Sequence, residues 1–516
     1  MTRHERQARL APRIDLTARL AHPDGLRRRV QVLGATALAA YLVLTALSIV
    51  QAPALWRHEV APRTQAFFET LSAALRPVLP FAPGWLLENS LFATPWSIVL
   101  SYWSALAVAT AAVLALVLSL LNRPEPAGAG LPRVLLNWSY AFAAVCALAF
   151  PVFTQDMWLS AAWGRMIAAG VNPFHTPFTP ESLAGLPLDH FPMPMSYGPL
   201  WGVISGAVML VAGDNVLLTF LFFKSVLAAA WIGALRLVWR LTEGQTHNRR
   251  CLAILLFGWL PAGVSQSLAE GHNDIAMVVL ALLWLLQITR GRFLAPVALA
   301  ASVLCKYVTA PLFLIDALFA LRFAKIAWRR SVLRLVPPTV LCVAVMALFY
   351  RSSEFFDGVR LVSSWYFLQP RDAVQAVELA LGLRILPLEL AVTAIFPVYA
   401  AYAAWIAWNE PTRDRLLQAA LATMCAVLFT AVSHLWAWYV IWVLALAVLS
   451  PSWWLSRFII GVSILSPFTL GFWWIEPFAN HREAVAFGMY AFAVLWTLLT
   501  RPGPLVSPFA AAAERA

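Results

Sequence analysis

The sequence predicts an all-α, polytopic membrane protein of about 14 transmembrane helices, and three observations predict it. Hydrophobic residues make up 61% of the 516-residue chain and charged residues only 12%, about half the charge of an ordinary soluble protein. Apolar runs of roughly 15–25 residues recur along most of the chain. Between them lie short basic clusters, the pattern of loops held on the cytoplasmic side of a membrane.

The net charge of +12 comes almost entirely from arginine, since Lys224, Lys306 and Lys325 are the only lysines. A nucleic-acid binder would gather such charge into one continuous patch. Here it is divided between apolar runs, so nucleic acid is excluded as a partner and membrane lipids are expected. The five cysteines, Cys146, Cys251, Cys305, Cys342 and Cys425, stand singly in or beside apolar segments. They read as small core residues, without metal spacing or a disulfide framework. The 24 tryptophans fit interfacial belts and sugar-stacking surfaces.

Taken in order, residues 1–29 form a basic cytoplasmic N-terminus ending in Arg27-Arg28-Arg29. Residues 30–133 hold two passes, Val30–Val50 and Trp96–Leu121, joined by an external loop and returning to Arg123 and Arg133. Residues 134–334 form the core. Val134–Phe153 crosses outward and delivers Asp156 to an external loop, 154–198, the longest polar, proline-rich interruption in the chain. Loops of this length are usually functional. Pro199–Gly213 then decides the topology. Were it to span, Arg240, Arg249, Arg250 and the cluster from Arg322 to Arg334 would all lie outside. At about 15 residues it is short of a span, so it reads as a juxtamembrane helix in the outer interface.

From there 217–241 runs inward, Cys251–Leu268 outward, and Ile275–Thr289 back to Arg290 and Arg292. Phe293–Leu321 is about 29 residues between basic loops, too long for one helix, and is divided at Cys305-Lys306 with Lys306 on the outer side. Residues 335–500 hold the C-terminal helices, starting with Leu335–Tyr350 and an external loop, 351–383, containing Trp365-Tyr366-Phe367. Passes near 384–408, 416–433, 437–450, 458–475 and 484–500 follow, and 501–516 is a cytoplasmic tail.

This topology brings the unusual polar residues to one side. Asp156 opens a helix whose apolar residues Leu159, Ala162, Trp163, Met166 and Ile167 follow helical spacing, which predicts an amphipathic helix on the membrane. Asp156 reads both as its N-cap and as a general base. Gly170-Val171-Asn172-Pro173-Phe174 stops that helix, and Tyr197-Gly198-Pro199 starts the next. Glu270-Gly271-His272-Asn273-Asp274 packs two acids, an imidazole and an amide between apolar segments. Asp274 reads as a cap or a binding residue. A divalent metal on Glu270, His272 and Asp274 would need three ligands within five residues, which is poor geometry, so no cofactor is expected. Lys224 and Lys306 lie in or beside apolar stretches, where a lysine without a partner is costly; each suits a phosphate diester, and each also has the option of reaching the headgroups. His434, with Trp436, Trp438, Tyr439 and Trp442, reads first as an aromatic belt and second as a lipid or sugar contact.

The succession of an acid after a membrane helix, GRM…GVNPF, YGPLW, GHNDIAM, CKY and HLWAWY resembles the polyprenol-phosphate-mannose-dependent mannosyltransferases of the GT-C superfamily of integral-membrane glycosyltransferases. It covers about 134–445. The resemblance implies a GT-C-like bundle, with the helices near 156–169 and 199–212 on the membrane surface. It also implies inverting transfer from a lipid-phosphate sugar, with Asp156 as base. The two N-terminal passes have no counterpart in it.

The expectation is therefore an inverting glycosyltransferase of the plasma or inner membrane with its site facing outside. It would move a sugar, mannose by resemblance, from a polyprenyl-phosphate donor to a glycolipid or glycan acceptor. Asp156 would be catalytic and Lys306 and Lys224 would hold the donor phosphate. Asn172, Tyr197, Glu270, His272, Asn273, Asp274 and His434 would bind substrate. The competing reading is a transporter or flippase of lipid-linked sugars, which would favour midplane charges and inverted repeats; neither is visible here.

Overall fold

The computed structural model describes residues 23–55, 69–70, 95–121, 130–188, 193–365, 367–382, 386–472 and 481–500. The N-terminal residues 1–22, most of the loop 51–95, Arg123 and the tail 501–516 lie outside the described residues. Among the described residues the chain is helical, with one isolated bridge between Phe367 and His434.

The main helices are α1 (Pro23–Leu55), α2 (Pro95–Leu121), α3 (Leu131–Cys146), α4 (Asp156–Ala168), α5 (Pro199–Ala212), α6 (Val216–Leu241) and α7 (His247–Gly258). They continue with α8 (Asp274–Thr289), α9 (Ala295–Cys305), α10 (Leu312–Leu318), α11 (Val336–Phe349), α12 (Pro370–Leu381) and α13 (Leu386–Asn409). The last four are α14 (Arg413–Ala426), α15 (Ile441–Ala447), α16 (Trp454–Phe472) and α17 (Arg482–Leu499). Eight helices are long and apolar enough to cross a membrane, and a ninth is obtained if α7 and the bent segment Pro261–Ala269 form one span with a 54° break. Four shorter apolar helices, α5, α8, α9 and Ala437–Ala447, fall below that length. The chain is an integral membrane protein; length and composition support eight or nine full spans among the described residues, and the count of about 14 is an expectation that needs the short helices to cross as well.

One end of the bundle is basic. Arg133 and Arg240 both lie close enough to Arg250 to act on its charge, and Glu243 pairs with Arg240 at 3.7 Å and with Arg290 at 3.8 Å. Arg413 donates to the Leu241 carbonyl at 2.6 Å. The N-terminal end of α1 joins this end through Trp138 Nε1–H, which donates to Gln31 at 3.0 Å. At the other end of α1, the Ser48 hydroxyl accepts from Phe150 N–H at 2.8 Å, just ahead of Asp156. At 1.5 Å per residue the two ends of α1 are about 28 Å apart between Arg29 and Ser48, close to a bilayer's hydrocarbon thickness.

Several expectations need correction. Asp156 and Asp274 are not N-caps: Gln155 and Asn273 hold those positions, and each acid stands in the first turn, where the helix dipole favours a carboxylate. α4 does not show one apolar stripe. Its buried residues Met157, Trp158, Ser160–Gly164 and Met166 surround the helix, because α5 and the loops cover it on several sides. The loop 351–383 contains a short helix, Asp357–Ser363, and α12, rather than open loop. Trp438, Tyr439 and Trp442 are buried and form no belt. Arg334, of the cluster read as cytoplasmic, is buried against Asp316 at 3.2 Å, which also accepts from Trp284 Nε1–H.

Candidate active site

The site is assembled where five chain segments meet: the start of α4, the start of α5, the turn before α8, the break after α9, and residues 434–442 leading into α15. α4 and α5 run side by side from this point. Trp201 Nε1–H donates to Ser160 at 3.0 Å, and Gly164 lies so close to the Ser205 carbonyl that any side chain there would clash. Gly198 makes a similar approach to the Leu304 carbonyl and donates its N–H to Cys305 at 2.9 Å. Only a residue without Cβ permits this contact, and it sets Tyr197 beside Lys306. The break itself follows from Lys306, whose extended backbone (φ −158°) ends α9.

Asp156 Oδ2 accepts from His272 Nδ1–H at 3.0 Å. The carboxylate can only accept when ionised, so the imidazole proton is assigned to Nδ1. Burial works to raise the Asp156 carboxyl, but the hydrogen bond from His272, the charge of Lys306 and the Tyr197 hydroxyl together hold it below the usual carboxylate range. The Tyr197 phenol is held well above its usual range by burial and then by Asp156, so it remains a proton donor to that carboxylate. In this pair the Asp156 side chain is 17% exposed and that of His272 1%. Asp156 is therefore the member that faces an incoming group, with His272 behind it.

Lys306 Nζ lies 2.7 Å from Asp274 Oδ1, which also accepts from Trp442 Nε1–H. Three rings surround the ammonium: Tyr439 at 4.4 Å, Trp442 at 4.9 Å and Tyr197 at 5.4 Å. His272 stacks on Trp438 with ring centres 3.8 Å apart, and Trp438 on Trp436 at 4.8 Å. His434 sits at the edge, with Nε2 3.2 Å from the Tyr439 hydroxyl, and burial followed by the charge of Lys306 lowers it to about 4. His272 Nε2, Asn273 Oδ1, Asp274 Oδ2 and Trp438 Nε1 are buried without a protein partner, an unusual concentration of unpaired polar atoms.

Glu270 has a different placement. Its carboxylate accepts from Val152 N–H at 3.2 Å and Phe153 N–H at 3.0 Å, while Thr154 donates to its carbonyl at 3.2 Å. Lys224 Nζ donates to the carbonyls of Leu268 and Ala269, the latter at 2.8 Å. Gly271, with φ +79°, turns the chain between Glu270 and His272, so that the first holds the strand of loop leading to Asp156 and the second meets Asp156 itself. Burial pushes the Glu270 carboxyl up to about 7, opposed by the Phe153 N–H and by Lys224.

The structure thus brings Asp156, Tyr197, His272, Asn273, Asp274 and Lys306 together, with His434 at the margin. Lys224 lies behind the turn, on backbone carbonyls. Asn172 lies at the far end of α4, where it donates to the Phe349 carbonyl at 2.6 Å and accepts from Phe174 N–H at 3.1 Å. Glu270, His272 and Asp274 point to three separate partners, and among the described residues no group of three His, Cys, Asp or Glu side chains is placed to hold a metal. The buried rings of Trp438, Tyr439 and Trp442 are the part of the site that an aromatic-belt reading misses. The spacing of Trp438 and Trp442 four residues apart, with Tyr439 three before Trp442, was the available signal.

The family model described as alpha-(1->6)-mannopyranosyltransferase, N-terminal domain, matches residues 69–328. The chain belongs to this mannosyltransferase family. No curated protein and no solved structure matches it. The match takes in Asp156, Tyr197, the 270–274 turn and Lys306, and ends before the aromatic wall that this mannosyltransferase draws from 434–442.

Proposed function

We propose that the enzyme transfers mannose from a polyprenyl-phosphate donor to a hydroxyl of a glycolipid or glycan, on the outer side of the membrane, by a single inverting displacement. One observation carries the reading: an ionised, partly accessible Asp156 is held from behind by His272 and from the side by Tyr197, within the field of a buried lysine. Asp156 takes the proton of the acceptor hydroxyl as its oxygen bonds to the anomeric carbon. The bond from that carbon to the phosphate oxygen breaks, and its electron pair leaves with the phosphate. Lys306, which keeps donors beyond its bond to Asp274, stabilises that leaving charge. Asn273, Asp274 and Trp438 offer their unpaired polar atoms to sugar hydroxyls.

An α-(1→6) product, as the family description suggests, requires a β-linked donor if the displacement inverts. The position of Arg27–Arg29 about 28 Å along α1 from the active-site end supports an outward-facing site through the positive-inside rule. No divalent metal is required in this scheme. Membership in a mannosyltransferase family favours transfer over lipid flipping.

Purified enzyme given labelled polyprenyl-phosphate mannose and a lipid extract should yield a labelled glycolipid whose new linkage is cleaved by an α-1,6-specific mannosidase. Label incorporated only from a nucleotide sugar would overturn the donor, and label moved across vesicles without a covalent product would support the flippase.

A further inference from the structure

A cavity unrelated to the catalytic residues opens between α1 and α2 at the basic end of the bundle. It has a volume of about 450 Å³ and is lined by Arg28, Arg29, Val32, Leu33, Ala115 and Ser119. The lining is divided by chemistry. Two guanidiniums and the Ser119 hydroxyl stand towards the end of the helices, with Arg29 Nη1–H donating to Ser119 at 3.4 Å. Val32, Leu33 and Ala115 continue the cleft along the apolar spans Gly25–Val50 and Val99–Leu121. Arg28 is exposed and has no ion-pair partner among the described residues.

We propose that this cleft is a binding site for one anionic phospholipid. Its phosphate lies between the Arg28 and Arg29 guanidiniums, Arg29 being held by the Ser119 hydroxyl, which itself donates to the Ala115 carbonyl at 2.7 Å, and an acyl chain follows Val32, Leu33 and Ala115. The match is one of amphipathic order: a cationic mouth and an apolar groove meet at the level where a lipid's phosphate meets its chains. A free phosphate would use only the mouth. The cleft is also separate from the sugar donor, since about 28 Å of α1 lies between Arg29 and the residue that touches the active-site segment. The two N-terminal helices thereby gain a function of their own, as holders of a structural or regulatory lipid.

The test uses the full-length protein in neutral detergent, with lipid retention read by native mass spectrometry. Phosphatidylglycerol should be retained as a single adduct where phosphatidylcholine is lost. Arg28→Gln with Arg29→Gln should weaken retention on the order of tenfold. Arg27→Gln, an exposed neighbour that does not line the cleft, should leave it nearly unchanged. Ala115→Trp fills the groove with both charges intact and should also abolish retention. Thermal melting of each variant without added lipid should match the wild type, which separates lost binding from lost folding. Equal loss in Arg27→Gln and in the double variant would reduce the effect to net charge and overturn the site. So would equal retention of phosphatidylcholine, or displacement by millimolar inorganic phosphate.

Discussion

At the residue scale, the central relation is between Asp156 and the groups that keep it ionised. Burial alone would raise this carboxyl and favour its protonated form, which cannot receive the acceptor's proton. His272, Lys306 and Tyr197 reverse that. The folded value is thus below the ordinary one, so the base remains competent through neutral pH and is lost only as pH falls through that lowered value. Asp156→Asn should reduce transfer by at least ~10² with little change in expression, because asparagine retains the size and hydrogen-bonding capacity of the site but cannot accept the proton. In His272→Ala the largest opposing cause disappears and burial regains weight. The acid limb of the kcat/KM profile should then move to higher pH. A profile that falls in amplitude without moving would assign His272 to substrate contact alone.

At the element scale, two loops are stitched together by backbone hydrogen bonds. Glu270 holds Val152 and Phe153, and Lys224 holds the π-helical turn Ser265–Ala269 that precedes it. The carboxyl of Glu270 is needed as an acceptor, not as a charge, since burial brings it to about 7 and either protonation state accepts an N–H. Glu270→Gln keeps an acceptor and should retain most of the activity. Glu270→Ala removes the acceptor of the buried Val152 N–H and the half-buried Phe153 N–H and releases the segment before Asp156, and turnover should fall roughly 10–100-fold, as small misplacements of catalytic groups do. Equal losses in the two variants would instead make Glu270 a charged participant.

At the scale of the whole molecule, the candidate site and the arginine-rich loops occupy opposite ends of the bundle. Ser353 is exposed in a segment packed on the active-site loop through Phe355 and Phe174, and Ala327 is exposed beside the basic cluster. In a cysteine-free background, Ser353→Cys in intact cells should react with an impermeant thiol reagent from outside and Ala327→Cys should not. The reverse pattern would place the site in the cytoplasm and remove a lipid-linked sugar on the outer face as donor.

Hydrophobic run length, interruption by polar turns and the spacing of arginine are local properties, so the sequence by itself determined the membrane class, the helix breaks at Lys306 and at Gly170, and the polar turns from which a site is made. Asp156, Glu270, His272, Asp274 and Lys306 were all legible as unusual, because an ionisable residue beside an apolar run is costly without a partner. Which partner each has was decided only by tertiary structure. His272 and Asp156 are 116 residues apart in the chain and Trp442 and Asp274 are 168 apart, and no periodicity records such a meeting. The same reason moved Trp438, Tyr439 and Trp442 from an expected belt to a buried wall, and Lys224 and Asn172 away from the reacting group. An apolar or amphipathic side chain suits lipid and protein interior about equally well, so its composition leaves the choice open and packing makes it.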